Sequence, residues 1–150
     1  PSWKKHQLPD LTLGEAFFSH SAKNVLRGLH FQKDGFSQSK LISCLSGSSL
    51  NLILDLRPQS PSFQQVFAQE LSRDSGKSLF IPEGCAHGFL SLSEETLLSY
   101  LANKPHSPEN DCGILWNSAS FRWPVENPIL SERDQSWPTL TEVLGHPILR

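Results

Sequence analysis

The 150-residue sequence has no methionine, a single tyrosine (Tyr100) and only three cysteines, Cys44, Cys85 and Cys112. An odd cysteine count with no Cys-x-x-Cys spacing supports neither a disulfide framework nor a zinc knuckle, and reads as thiols in a reducing compartment. No apolar run reaches membrane-spanning length. The opening Pro1-Ser2-Trp3-Lys4-Lys5-His6 leads into no apolar signal core, so a cytoplasmic protein is expected. Charge of one sign is also lacking: 13 basic against 15 acidic residues give a net charge of −2. That leaves no basic surface for a nucleic acid, although a few local cations suffice for a diphosphate. No His-x-His pair occurs, which argues against a metal centre built from two such histidines, a carboxylate and a further histidine. Neither a metal nor another cofactor is expected. Repeats, heptads and low-complexity stretches are missing too.

What is present is punctuation. Eleven prolines and nine glycines interrupt the chain at short intervals, favouring short strands over long helices. The clearest strand is residues 50–56, with Leu50, Leu52, Leu54 and Leu56 on one face and Asn51 and Asp55 on the other. It follows residues 40–45 across Ser46-Gly47-Ser48, which reads as a hairpin turn. Further strands are expected at 25–32, 63–71, 78–81, 88–92, 96–102 and 113–116. Helix is expected only late, as a turn at 131–134 and another at 139–144. The length suits one domain spanning 1–150, an all-β sandwich or barrel with short C-terminal helical turns.

Several polar residues fall inside these strands, where burial is costly unless they are paired or used. In Val25-Leu26-Arg27-Gly28-Leu29-His30-Phe31-Gln32, strict alternation puts Leu26, Gly28, His30 and Gln32 on one face and Arg27, Leu29 and Phe31 on the other. His30 taken alone reads as a satisfied core histidine. His87 lies between Ala86 and Gly88, small residues that would clear space around its ring. Lys40, Tyr100 and Asp134 each have an ordinary reading as a solvated lysine, a half-buried tyrosine and a helix-start carboxylate. Any phenolic proton donor must be Tyr100.

Taken in order, a series of segments is similar to the dTDP-4-dehydrorhamnose 3,5-epimerase family. They are Asn24-Val25-Leu26-Arg27-Gly28-Leu29-His30-Phe31-Gln32, Gln38-Ser39-Lys40, Leu54-Asp55-Leu56-Arg57, Ser60-Pro61-Ser62-Phe63 and Ile81-Pro82-Glu83-Gly84-Cys85-Ala86-His87-Gly88-Phe89. After these come Ile114-Leu115-Trp116-Asn117, Trp123-Pro124 and Leu130-Ser131-Glu132-Arg133-Asp134. The resemblance covers most of the chain from about Ser19, and its Arg-Gly-Leu-His and Pro-Glu-Gly-x-Ala-His-Gly-Phe blocks are specific.

The resemblance implies a cupin-type jelly roll, a homodimer and a nucleotide-diphosphate sugar substrate. It matches His30 to the catalytic base, Asp134 to its orienting carboxylate, Lys40 to the cation beside the C4 oxygen and Tyr100 to the acid on the opposite face. Arg27 and His87 match residues lining the sugar–diphosphate site, and Gln32, Phe17, Ser19, His106 and Asp111 match further substrate-binding positions. The implied reaction is metal-independent epimerisation at C3, C5 or both of a 4-keto-6-deoxy sugar. A 3,4-ketoisomerase and a non-catalytic sugar-nucleotide binder on the same scaffold are the alternatives. The departures fall on the nucleotide-facing side. The family's upstream Asp-x-Arg-Gly-x-Phe pattern is not among these residues, its Gln-Asp-Asn-x-Ser reads Glu15-Ala16-Phe17-Phe18-Ser19, and His106 stands where a second tyrosine is common. They leave the base open among thymidine, guanosine and cytidine.

Overall fold

The computed structural model describes residues 12–33 and 35–145, so the reading of Pro1 to His6 lies outside the described residues. The strands are β1 (Glu15–Ala22), β2 (Leu26–Gln32), β3 (Lys40–Ser46), β4 (Ser48–Asp55), β5 (Val66–Ser72), β6 (Ser78–Ile81), β7 (Cys85–Ser91), β8 (Glu95–Ala102) and β9 (Asp111–Gly113). Two short helices follow, α1 (Glu132–Ser136) and α2 (Leu140–Gly145). The strands form two antiparallel sheets in the orders β1-β8-β3-β6 and β5-β4-β7-β2-β9. This is the cupin-type jelly roll that the short, punctuated strands and the resemblance implied.

One expected pairing is absent. β3 bonds to β6 and β8 in the first sheet, whereas β4 bonds to β5 and β7 in the second. The turn at Ser46-Gly47-Ser48 therefore carries the chain from one sheet to the other and closes no hairpin. Gly47 supplies the left-handed φ of 71° that this corner needs. β1 was not foreseen as a strand. It is an edge strand whose residues alternate between half-buried and exposed, and its polar letters hide the period.

β4 is buried on both faces, and the leucine face does not point into the barrel. Leu52, Leu54 and Leu56 join Leu26, Leu29, Phe31, Ala86 and Leu90 in an outer core capped by Ile114, Ala119, Trp123 and Val143 of the C-terminal segment. Fully burying each such leucine stabilises the fold by about 1.5–3 kcal/mol. The barrel interior is a second core, in which Ile42, Ile53, Leu79, Ile81, Phe89 and Leu98 gather with Tyr100. Because the C-terminal segment takes the leucines, the polar Asn51/Asp55 face of β4 is left to line the barrel.

Candidate active site

The site begins with an irregularity in β2. Arg27 pairs with Phe89 and His30 with His87, so three residues of β2 span two of β7. This bulge breaks the expected alternation. Leu26 and Leu29 both enter the outer core, and Arg27 and His30 both come to the barrel side. Arg27 was expected opposite His30, so this is a correction. Two glycines make the close approach feasible. A Cβ on Gly28 would lie 2.5 Å from Gly88 Cα, and one on Gly88 would lie 2.7 Å from Leu29 Cδ2. Gly88 thus serves contact between strands, and Ala86 belongs to the outer core; neither clears room for the His87 ring.

His30 Nε2 lies 2.5 Å from Asp134 Oδ1, across 104 positions of sequence. Asp134 is buried on α1, where its N–H donates to Ser131 Oγ at 3.1 Å and Trp137 Nε1 donates to its Oδ1 at 3.3 Å. Burial opposes its charge, but the His30, Ser131 and Trp137 contacts outweigh it and hold the carboxyl below its ordinary value. Trp137 in turn lies flat against Gly113 of β9, where any Cβ would collide with the indole. With Nε2 committed to Asp134, Nδ1 is the nitrogen left for chemistry.

Across the barrel, Lys40 opens β3 beside Ala102 of β8, and Ile42 pairs with Tyr100, so Lys40 and Tyr100 share the inner face. Burial depresses the Lys40 ammonium, and the charges of Asp111 and Glu15 partly restore it. Burial pushes the Tyr100 phenol up to about 12, tempered by Ser19 and Arg27. Its ring stacks on Phe17 with centroids 4.6 Å apart and 5° between planes. His87 Nε2 lies 3.1 Å from Asn51 Oδ1, and burial, then Lys40 and His30, keep this imidazole neutral to well below its ordinary range.

A cavity of about 320 Å³ is lined by Glu15, Phe17, His30, Gln38, Lys40, His106, Asp111 and Arg133. A narrow recess with His30, Gln32, Gln38, Lys40, Cys85 and His87 lies next to it. A larger cleft of about 480 Å³, around Trp116, Trp123 and Val125, lies in the C-terminal segment and contains none of the expected catalytic residues. Among the described residues, Ser19 Oγ is the one fully buried side-chain N or O atom without a hydrogen bond. His30 Nδ1, Lys40 Nζ and His87 Nδ1 also make no hydrogen bond there, and all three residues line the recess. Three polar atoms from three strands remain unspent around one recess, and Tyr100 lies on the inner face of β8 without lining it.

The other expected residues divide. Phe17, His106 and Asp111 line the cavity, Asp111 in an ion pair with Arg133 at 2.7 Å. Ser19 lies beside Tyr100 on the neighbouring strand. The Gln32 amide is already engaged, accepting from Ser107 N at 2.6 Å and donating to Phe36 O at 3.4 Å, so it braces a loop. Arg27 is exposed, donating from Nε to Ser21 Oγ at 3.1 Å and from NH2 to His20 O at 3.3 Å. Asn51 and Trp137 were missed as site residues. The pairing of β4 with β7 brings Asn51 to His87, which no local motif marks, whereas Trp137 follows Asp134 by three residues at the end of α1.

Among the described residues, no three His, Cys, Asp or Glu side chains cluster as a metal site, and no helix is long and apolar enough to cross a membrane.

A family model described as dTDP-4-dehydrorhamnose 3,5-epimerase matches residues 2–142. The dTDP-4-dehydrorhamnose 3,5-epimerase of Escherichia coli strain K12 is 43% identical over 129 residues, covering 84% of this chain and 70% of that protein. That of Sinorhizobium fredii is 37% identical over 145 residues, covering 94% and 74%. Among solved structures, the dTDP-4-dehydrorhamnose 3,5-epimerase of Bacillus anthracis with TDP and PPi bound superimposes with a TM-score of 0.89 at 37% identity, covering 93% of this chain and 81% of that one. The Legionella pneumophila enzyme in complex with dTDP-4-keto-L-rhamnose gives 0.87 at 31% identity, covering 93% and 76%. With its jelly roll, its paired His30 and Asp134 and a match running nearly end to end, the chain belongs to the dTDP-4-dehydrorhamnose 3,5-epimerase family of isomerases.

Proposed function

We propose that this chain epimerises a thymidine-diphosphate-linked 4-keto-6-deoxy sugar at C3, C5 or both, with its own side chains carrying every proton. The observation that carries this reading is that His30, paired with Asp134, lines one cavity with the Lys40 ammonium, while Tyr100 shares the inner face with Lys40. A hydrogen on carbon next to a ketone becomes removable only when the resulting enolate oxygen is stabilised. Lys40 Nζ supplies that stabilisation beside the C4 oxygen. His30 Nδ1 takes the proton, and Asp134 holds the ring's orientation and steadies the imidazolium that forms. Inversion then requires a proton from the other face. The Tyr100 phenol, neutral up to about 12, is the acid that returns it. Phe17, His106 and the Asp111–Arg133 pair border the entrance and contact the substrate.

The thymidine base is taken from the ligands of the two solved relatives. A cytosolic homodimer fits the family and the buried thiols of Cys44 and Cys85. The test is incubation with dTDP-4-keto-6-deoxyglucose in deuterated water, followed by NMR of the sugar. Deuterium at C3 or C5 with inverted products supports the reading. Protium retained with thymidine, guanosine, cytidine and uridine sugars alike overturns it.

A further inference from the structure

Next to the cavity, His87 of β7 and Asn51 of β4 form one buried unit through the 3.1 Å contact of Nε2 with Oδ1. The two Ser49 contacts favour one orientation of the Asn51 amide. Its nitrogen lies 2.9 Å from Ser49 Oγ and 3.4 Å from the Ser49 carbonyl oxygen. A carbonyl only accepts, so the –NH₂ faces Ser49 and Oδ1 faces the imidazole. An amide oxygen also only accepts, so His87 Nε2 carries the hydrogen, and Nδ1 of the neutral ring keeps a lone pair. That Nδ1 makes no hydrogen bond with the protein and is not sealed from the recess it shares with Lys40 and His30.

We propose that Asn51 is a positioning residue that fixes His87 as the neutral Nε2–H tautomer, so that Nδ1 offers an acceptor to a hydroxyl of the bound sugar beside Lys40. This deepens the epimerase reading and rests on it for the sugar. A donor such as arginine or a charged imidazole at this place would suit a phosphate. A buried lone pair suits a sugar O–H and rejects an analogue lacking it, because the nitrogen would then lose its partner. Neutrality also protects the reaction, since a second buried cation here would work against the Lys40 ammonium. The groups facing the His87 ring are Lys40 from β3, His30 from β2 with Asp134 behind it, Tyr100 from β8 in an edge contact at 6.2 Å, and the Cys85 thiol of its own strand.

The full chain labelled with ¹⁵N-histidine, its His87 signals assigned through a His87→Gln variant, reports the tautomer by long-range ¹H–¹⁵N correlation. The expected spectrum shows His87 protonated on Nε2 alone and not titrating across the range from about pH 5 to 8 in which histidines ordinarily change charge. Asn51→Asp places a carboxylate at the same nitrogen. It is expected to charge the ring, to cut kcat/KM at neutral pH by roughly tenfold or more, as for one lost hydrogen bond in the site, and to restore it as pH rises. A hydrogen on Nδ1 in the wild type, or an Asn51→Asp enzyme with an unchanged pH profile, overturns the proposal. Should Asn51→Asp not fold, the wild-type spectrum decides alone. It is read on the free protein, so its failure is separate from failure of the epimerase assay.

Discussion

Phe17 and Tyr100 lie face to face on neighbouring strands, 4.6 Å apart and 5° from parallel. The stack fixes the plane of the chain's only tyrosine. Phe17 stands where the family lead-in has asparagine. Tyr100→Phe keeps the ring and its stack and is expected to change stability by no more than about 1 kcal/mol, the usual net worth of one hydroxyl contact. It should lower turnover by ~10²–10⁴, as loss of a positioned acid does. Melting curves beside product NMR check both halves. Phe17→Ala should lower turnover while Tyr100 remains present.

Lys40 is half-buried without a hydrogen bond, so its charge destabilises the fold it serves. Lys40→Met keeps the length and removes the charge. It should raise the melting temperature by the few degrees that about 1 kcal/mol gives in a chain of this size. Turnover should fall by roughly 10²–10³, as for removal of an oxyanion donor. Calorimetry paired with initial rates would show the two moving in opposite directions.

The raised Tyr100 and Cys85 groups set an alkaline limit. Burial lifts the phenol to about 12; for Cys85 burial lifts the thiol to about 11, aided by Asp55 and opposed by Arg57. Folded values above the unfolded ones mean that the unfolded chain releases protons first. The stability from each group is complete below its unfolded pKa and is lost as pH rises through the folded one. Unfolding free energy should thus fall between about pH 9 and 12, by up to about 3 kcal/mol per group. Urea titrations at stepped pH measure this, and Cys85→Ala should remove the earlier part.

Gly113 gives Trp137 its flat seat against β9, and Trp137 holds Asp134. Gly113→Ala should displace the indole and cost about 1–3 kcal/mol of stability, the usual range for overpacking. Turnover should fall although the substitution touches no catalytic group. A crystal structure of the variant would show α1 displaced.

The sequence reveals β2 to β8 in outline, β4 most clearly through its own apolar period, and the turns that bound them. β1 was hidden because an edge strand with half its residues in water needs no apolar alternation. The face assignment in β2 failed at the bulge, since strict alternation cannot anticipate two residues opposing one. The catalytic letters His30, Lys40, Tyr100 and Asp134 were legible only through the family's ordered motifs; singly, each had an ordinary role. Asn51 read as the polar side of a strand, because only the covering of the leucine face by the C-terminal segment turns that side inward. Gln32 shows the converse, a polar residue in the right motif whose amide is already spent on Ser107 and Phe36.

The most direct measurement is the rate of deuterium wash-in at C3 and C5 of the keto sugar, compared between wild type, His30→Ala and Asp134→Asn. The His30–Asp134 base is expected to make His30→Ala slower by at least ~10²–10⁴, with Asp134→Asn reduced in the same direction while both proteins stay folded. Wash-in at the wild-type rate in His30→Ala would contradict it.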